Sequence, residues 1–407
     1  MIGRKPVWMA GLVVFTLGSA ICGLSPSLGI LVAARAFQGL GGALLMAISP
    51  AMLTSAFPAS ERGRALGMNA VIVALGVSAG PTIGGIITEN WTWRWIFFIN
   101  MPLGIIGLFA TARVLSRQSG RSVGRFDPLG ALALGVGLAA LTLGLSFGEE
   151  WGWTSPALIA TLVISGVALA ALVAIERHVL YPVVAFSLLR NRVFTSAIVS
   201  LILSFLALFA VSFLLPFYLE ELRGFSAEQS GLLLTPLPLT IAVIAPLSGA
   251  LADRIGSRWL AAAGLTLACI GLLLISQLNG QSSVWDIIWW LAVTGVGQGI
   301  FQSPNNSALL GAAPRGQQGA ASGFLATGRV VGQSISVALA GAVFTSLGGA
   351  TGGRLLATQQ LSDAQGLALE ATFTTSFRAA FVVCAVIAAI GIATSLVRGK
   401  EAKAGSR

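Results

Sequence analysis

Apolar runs long enough to cross a bilayer recur along the whole chain, and no other feature constrains its fold as strongly. A hydrocarbon core of ~30 Å needs about 20 apolar residues at ~1.5 Å of helical rise each. Such runs lie near 7–24, 28–57, 64–88, 95–112, 128–147, 156–175, 193–218, 226–251, 259–278, 286–310, 319–347 and 376–397. They predict an all-α polytopic membrane protein with about twelve transmembrane helices. Composition agrees: 56% of residues are hydrophobic and 9% charged, with mean hydropathy +0.88. A water-soluble fold is excluded.

The formal charge of +10 could suggest a nucleic-acid partner, but the basic residues sit in short loops between apolar runs, where they act as topology signals. With the N-terminus placed in the cytoplasm, cytoplasmic segments carry Arg4, Lys5, Arg62, Arg64, Arg113, Arg117, Arg121, Arg125, Arg177, Arg190, Arg192, Arg254, Arg258, Arg315, Arg398, Lys400, Lys403 and Arg407. Only Arg94, Arg223, Arg354 and Arg378 fall outside. Both termini are expected in the cytoplasm of a cell-membrane, multi-pass protein. Trp91, Trp93, Trp95, Trp151, Trp153, Trp285, Trp289 and Trp290 mark outer boundaries, as interface anchors do. The stretch Leu180–Arg192 is too short to span and is expected along the cytoplasmic face. The loop 348–375, rich in small and polar residues, is expected to be external and mobile.

Two arginines stand inside apolar runs, Arg35 and Arg329. Such a residue costs at least ~2.5–3.5 kcal/mol at membrane depth, so it faces a polar cavity or a partner. Both are expected near mid-depth, and no carboxylate is comparably placed. Cys22, Cys269 and Cys384 fall singly in apolar helices, without disulfide or metal spacing. His178 lies alone in a polar loop. Clustered nucleophiles, metal ligands or acid–base pairs at one depth are absent from the sequence, so an enzyme, a metal site and a cofactor are not expected.

A repeat organises the chain. Gly249-Ala-Leu-Ala-Asp253-Arg254-Ile-Gly256-Ser-Arg258 closes one run and opens the next, and Gly3-Arg4-Lys5 looks like the tail of the same pattern. Ser49-Pro50 matches Ser303-Pro304, and Arg62-Gly63 matches Arg315-Gly316, at nearly constant offset. Repeated halves with a site between them are a transporter plan. The implied units are 1–112 with four spans, 113–192 with two extra spans and a linker, and 193–407 with six.

These residues resemble the major facilitator superfamily, in its drug:proton antiporter branch with fourteen spans. The superfamily's loop motif is carried by Gly249, Asp253, Arg254, Gly256 and Arg258, and the motif of the following span by Arg35, Gln38 and Gly39. The antiporter motif is carried by Gly76, Gly80, Pro81, Gly84 and Gly85, and Trp93-Arg-Trp-Ile-Phe-Phe-Ile-Asn100-Met-Pro102 resembles the entry to the next span. The match runs from the branch's third span to its fourteenth, so the chain is expected to be the later part of a longer protein. Without the acid that the branch carries on its first span, the chain alone is expected to export little.

The resemblance implies a secondary transporter, exporting drugs or other small molecules against protons by alternating access. Its partners are the bilayer, a small-molecule substrate and protons, and the protein is expected to be monomeric. Arg35 and Gln38 would belong to proton coupling, and Gly80 and Gly84 would pack tightly on a neighbouring helix. Gly249, Asp253, Arg254, Gly256 and Arg258 would form a gate lock. Polar residues on apolar helices suggest a substrate cavity: Asn100, Gln298, Gln302, Asn305, Asn306, Arg329 and Gln333, with Phe301 beside them. Interhelical hydrogen bonding is the alternative role for these polar groups. A nutrient facilitator or symporter is the rival function. Two unpaired arginines favour neutral, anionic or zwitterionic substrates over cations.

Overall fold

The computed structural model describes residues 3–57, 68–69, 72–73, 76, 80, 83–115, 127–152, 154–179, 186–314, 317–358 and 362–398. All regular structure among them is helical. In chain order the helices are α1 (Arg4–Leu24), α2 (Leu28–Ala56), α3 (residues 83–90), α4 (Trp95–Val114), α5 (Pro128–Trp151) and α6 (Pro156–Glu176). They continue as α7 (Arg192–Phe217), α8 (Ala227–Leu234 and Pro236–Ile255), α9 (Ser257–Ile275), α10 (Val284–Gly311), α11 (Gln318–Ser346), α12 (Gly349–Thr358) and α13 (Asp363–Leu396). Eleven helices among the described residues are long and apolar enough to cross a membrane. Most of the run at 64–88 lies outside the described residues, as do Arg62-Gly63, Pro81 and Arg315-Gly316.

Local chemistry starts the helices where the apolar runs begin. Ser27, Asp127, Ser155 and Asn191 accept hydrogen bonds from the first free backbone N–H groups of α2, α5, α6 and α7, and Pro128 and Pro156 stand where an N–H would be spare. Ser226 with Gln229 and Ser283 with Asp286 close reciprocal capping boxes on α8 and α10. At Gly256 the backbone turns from α8 into α9 with φ +89° and ψ 157°, a conformation that side chains with a Cβ disfavour.

Two helix pairs show the same close contact. In the pair α1/α2, a Cβ on Gly18 would lie 2.7 Å from Gln38 Cα, and one on Gly41 would collide with the backbone of Phe15. In the pair α9/α10, a Cβ on Gly264 would lie 2.5 Å from Phe301 N, and one on Gly297 would strike Ala268. Small residues let backbones approach in lipid, where packing rather than water exclusion drives helix association. The repeat read from the loops is therefore also a repeat of packing.

Around these pairs, α4 packs on α1, while α7, α11 and α13 pack on one another, with α9 against α13 and α8 against α10. The pair α5/α6 packs on itself and lays α5 against α11, where Thr142 and Ser334 approach to 3.4 Å. The largest buried cluster joins α7, α9, α10, α11 and α13 through Tyr218, Phe344, Phe373, Phe377 and Phe381.

One expectation needs correction. Much of the stretch 348–375 is helical: α12 packs on α13, and α13 begins at Asp363 behind the Ser362–Gln365 capping box. Hydropathy missed this because Ala, Leu and Thr are only mildly apolar as a group, whereas burial of Phe373 against Phe344 at 5.1 Å extends the helix. Within the strip 180–192, residues 186–190 form a 3-10 turn that buries Leu188 beside Phe194 and Leu309. Ser187 and Arg190 on either side of Leu188 are exposed.

Candidate functional site

Arg35 lies seven residues into α2, ~10 Å along it, closer to one end than the sequence suggested; Arg329 lies eleven residues into α11, ~16 Å along it. Their helices touch each other. The fold thus brings together the two spans that carry membrane arginines, which lie on either side of α5/α6 in the chain.

Arg35 is exposed. Its Nη1 donates to Gln38 Oε1 at 2.7 Å, and its guanidinium lies 5.6 Å from the ring centre of Phe97. Gln38 is buried and passes the chain on, donating through Nε2 to Ser19 Oγ at 2.6 Å; Ser19 donates to Phe15 O at 2.9 Å. Among the described residues no carboxylate pairs with Arg35. Arg329 is half-buried, its guanidinium 5.1 Å from the ring centre of Phe205. Its Nε is buried and has no hydrogen-bond partner among the described residues, and Asn306 Oδ1 on α10 is in the same condition. Orphaned buried polar atoms of this kind are rare and mark places where water or a ligand belongs.

Gln298, Gln302 and Gln333 are half-buried, as is Asn100, whose Nδ2 turns back to Ile96 O at 3.4 Å. Two members of the expected lining are placed elsewhere. Phe301 is 1% exposed and packs with Ala261 and Leu265. Asn305 is 0% exposed; its Nδ2 donates to Ala197 O at 3.0 Å and its Oδ1 accepts from Arg398 Nη2. Both residues lie on α10, and in this conformation their side chains are turned into the bundle among the described residues.

Much of the chain around Gly76-x-x-x-Gly80-Pro81-x-x-Gly84-Gly85 lies outside the described residues. Among the described residues nothing lies within 4 Å of a Cβ built on Gly76, Gly80 or Gly84. The close approach falls on Gly85, where a Cβ would lie 3.3 Å from Ala227 O and Glu228 Cα at the start of α8. In the loop motif, Gly249 is buried and Arg254 exposed. Arg258 lies 5.3 Å from the ring centre of Trp259, and of Asp253 only the helical backbone is described.

Three residues read only as loop charges have larger parts. Arg398 is fully buried and donates Nη1 to Ser257 Oγ at 2.8 Å and Nη2 to Asn305, tying the end of α13 to α9 and α10. Glu221 and Arg354 line one cavity together with Phe213, Phe217 and Phe344. No spacing or composition signal distinguished them, because their roles come from contacts between distant segments.

Comparison with known proteins agrees with this architecture. The sequence matches the Major Facilitator Superfamily over residues 1–336 and 197–406. It is 38% identical over 353 residues to the transporter YebQ of Escherichia coli K12, covering 86% of this chain and 76% of that protein. Identity is 34% over 347 residues to the multidrug resistance protein Stp of Mycobacterium tuberculosis, with 85% and 64% covered. It is also 34% over 345 residues to the riboflavin transporter RibZ of Clostridioides difficile, with 85% and 74% covered. The fold resembles the crystal structure of a bacterial homolog of the human lysosomal transporter Spinster, with TM-score 0.60 and 17% identity, over 98% of this chain and 83% of that one. It also resembles the human organic anion transporter MFSD10, with TM-score 0.61 and 16% identity, over 97% and 77%. With its all-helical bundle and a family match spanning nearly all of its length, this multi-pass membrane protein belongs to the Major Facilitator Superfamily.

Proposed function

We propose that the chain is an exporter of drugs or other small molecules, driven by proton antiport and working by alternating access. The observation that carries this reading is the meeting of α2 and α11, the helices bearing Arg35 and Arg329. It joins the two arginine-bearing helices across the segments 1–112 and 193–407, between which rocking would open a cavity to each side in turn. Relatives named multidrug resistance proteins, including Stp, support the substrate class. The antiporter motif through Gly85 supports the fourteen-span branch, with α1 standing at that plan's third position and both termini in the cytoplasm of the cell membrane. In this reading the protein works as a monomer, Arg35 and Gln38 tune a protonatable partner, and Gln298, Gln302, Asn306, Arg329 and Gln333 face the substrate. In this reading Arg35 acts through its fixed charge on a partner.

The test is export from proteoliposomes under an imposed pH gradient, with wild type beside Arg35→Ala and Arg329→Gln. Proton-dependent efflux that falls by about tenfold or more in both variants is expected. Gradient-driven export untouched by either substitution would sink the proposal. A second reading, uptake of a nutrient or metabolite, is favoured by the similarity to a riboflavin transporter. Accumulation of labelled riboflavin inside the vesicles, without drug export, would favour it.

A further inference from the structure

About 18 Å along α11 from Arg329, a second cavity of ≈ 210 Å³ opens between α7, α11 and α12. Its walls are aromatic and apolar, from Phe213, Phe217, Leu214 and Phe344, and Glu221 and Arg354 line the same cavity. We propose that this is a binding site for a small zwitterion with an apolar body, of the kind an aromatic amino acid exemplifies.

Four observations converge on it. First, α7 ends in a π-type turn over Tyr218–Leu222, closed by Arg223 N donating to Tyr218 O at 3.1 Å. A π turn inserts a residue into the helix and re-aims the side chains that follow, and such turns gather at functional sites. Second, Glu221 reaches across to α12, where its Oε2 and the ring of Phe373 occupy the space that a Cβ on Gly353 would need. That oxygen is buried and accepts no hydrogen bond from any described residue, and the charge of Arg354 acts on the same carboxylate across the cavity. Third, Arg354 is exposed at the mouth, braced by its Nε donating to Ala350 O at 3.3 Å. One charge of each sign, on different helices around one apolar space, matches an ammonium and a carboxylate carried by the same molecule. Fourth, drug-sized ligands occupy cavities of ~300–1,000 Å³, so this one suits a smaller guest. The site stands apart from the one assigned to transport, and its existence does not depend on that assignment.

Binding is measured on the full chain in lipid nanodiscs, by calorimetry, with three probes: L-phenylalanine, phenethylamine, which lacks the carboxylate, and 3-phenylpropionate, which lacks the ammonium. L-phenylalanine is expected to bind saturably and at least about tenfold more tightly than either analogue. Glu221→Gln should reduce it to the level of 3-phenylpropionate and leave 3-phenylpropionate unchanged. Arg354→Gln should reduce it to the level of phenethylamine and leave phenethylamine unchanged. Because Arg354 is exposed, that variant decides the matter even if Glu221→Gln does not fold. The proposal is overturned if L-phenylalanine shows no saturable binding, if phenethylamine binds as well as L-phenylalanine, or if Arg354→Gln leaves L-phenylalanine affinity intact.

Discussion

Arg398 follows the last helix, where the sequence alone suggested only a cytoplasmic charge, yet it is fully buried. Its two amino groups serve Ser257 Oγ and Asn305 Oδ1, so a shorter or apolar side chain strands acceptors from two other helices at once. Hydrogen bonds to a charged group contribute ~1.5–3 kcal/mol each. Arg398→Met is therefore expected to lower thermal stability in detergent by at least about 2 kcal/mol, read as an earlier unfolding midpoint. Ser257→Ala should cost less, since Asn305 keeps its donor. An unchanged midpoint in Arg398→Met would mean that the guanidinium contributes nothing net. At this scale the sequence was a poor guide: Arg35 and Arg329 stood out by cost alone, whereas Arg398, Glu221 and Arg354 wear the composition of loop ends.

Among elements, the glycine-mediated pairs α1/α2 and α9/α10 are where a single methyl group should be felt. A Cβ at Gly41 has no room beside the Phe15 backbone, while nothing lies within 4 Å of one at Gly39. Gly41→Ala is expected to cost ~1–3 kcal/mol through overpacking, and Gly39→Ala to be neutral or slightly stabilising through helix propensity. Unfolding of the two variants side by side in the same detergent checks this; equal midpoints would remove the packing argument. Helix positions were legible because a run of apolar residues bounded by Ser, Asp or Asn caps specifies a spanning helix from local information. The helicity of α12 and of the first turns of α13 was not, because Phe373 needs Phe344, nearly thirty residues earlier, to justify its burial.

For the whole molecule, the contact between Gly85 and the start of α8 joins segments that the proposed alternating access would separate and rejoin. With Cys22, Cys269 and Cys384 replaced by Ser or Ala, the pair Gly85→Cys and Ala227→Cys should cross-link under mild oxidation, because a Cβ at 85 lies 3.3 Å from Ala227 O. Cross-linking is expected to stop transport and reduction to restore it, followed in vesicles with a fluorescent substrate. Full transport by the cross-linked protein would show that this contact persists through the cycle.

The sequence by itself determined that the chain is an all-helical membrane protein with repeated packing units. Lipid leaves every backbone polar group to be satisfied within its own segment, and that demand is written residue by residue into length and hydropathy. It also singled out the arginine-bearing helices, since a charge inside an apolar run is visible without any partner. Only the tertiary structure decided that α2 meets α11, that Asn305 turns inward to Arg398, that Gly85 closely approaches the start of α8, and that Glu221 and Arg354 share a cavity. Each depends on the rotation of a helix about its own axis and on which distant helix it faces. In a chain apolar nearly all round, the hydrophobic pattern leaves that rotation unspecified, and side-chain packing between helices sets it.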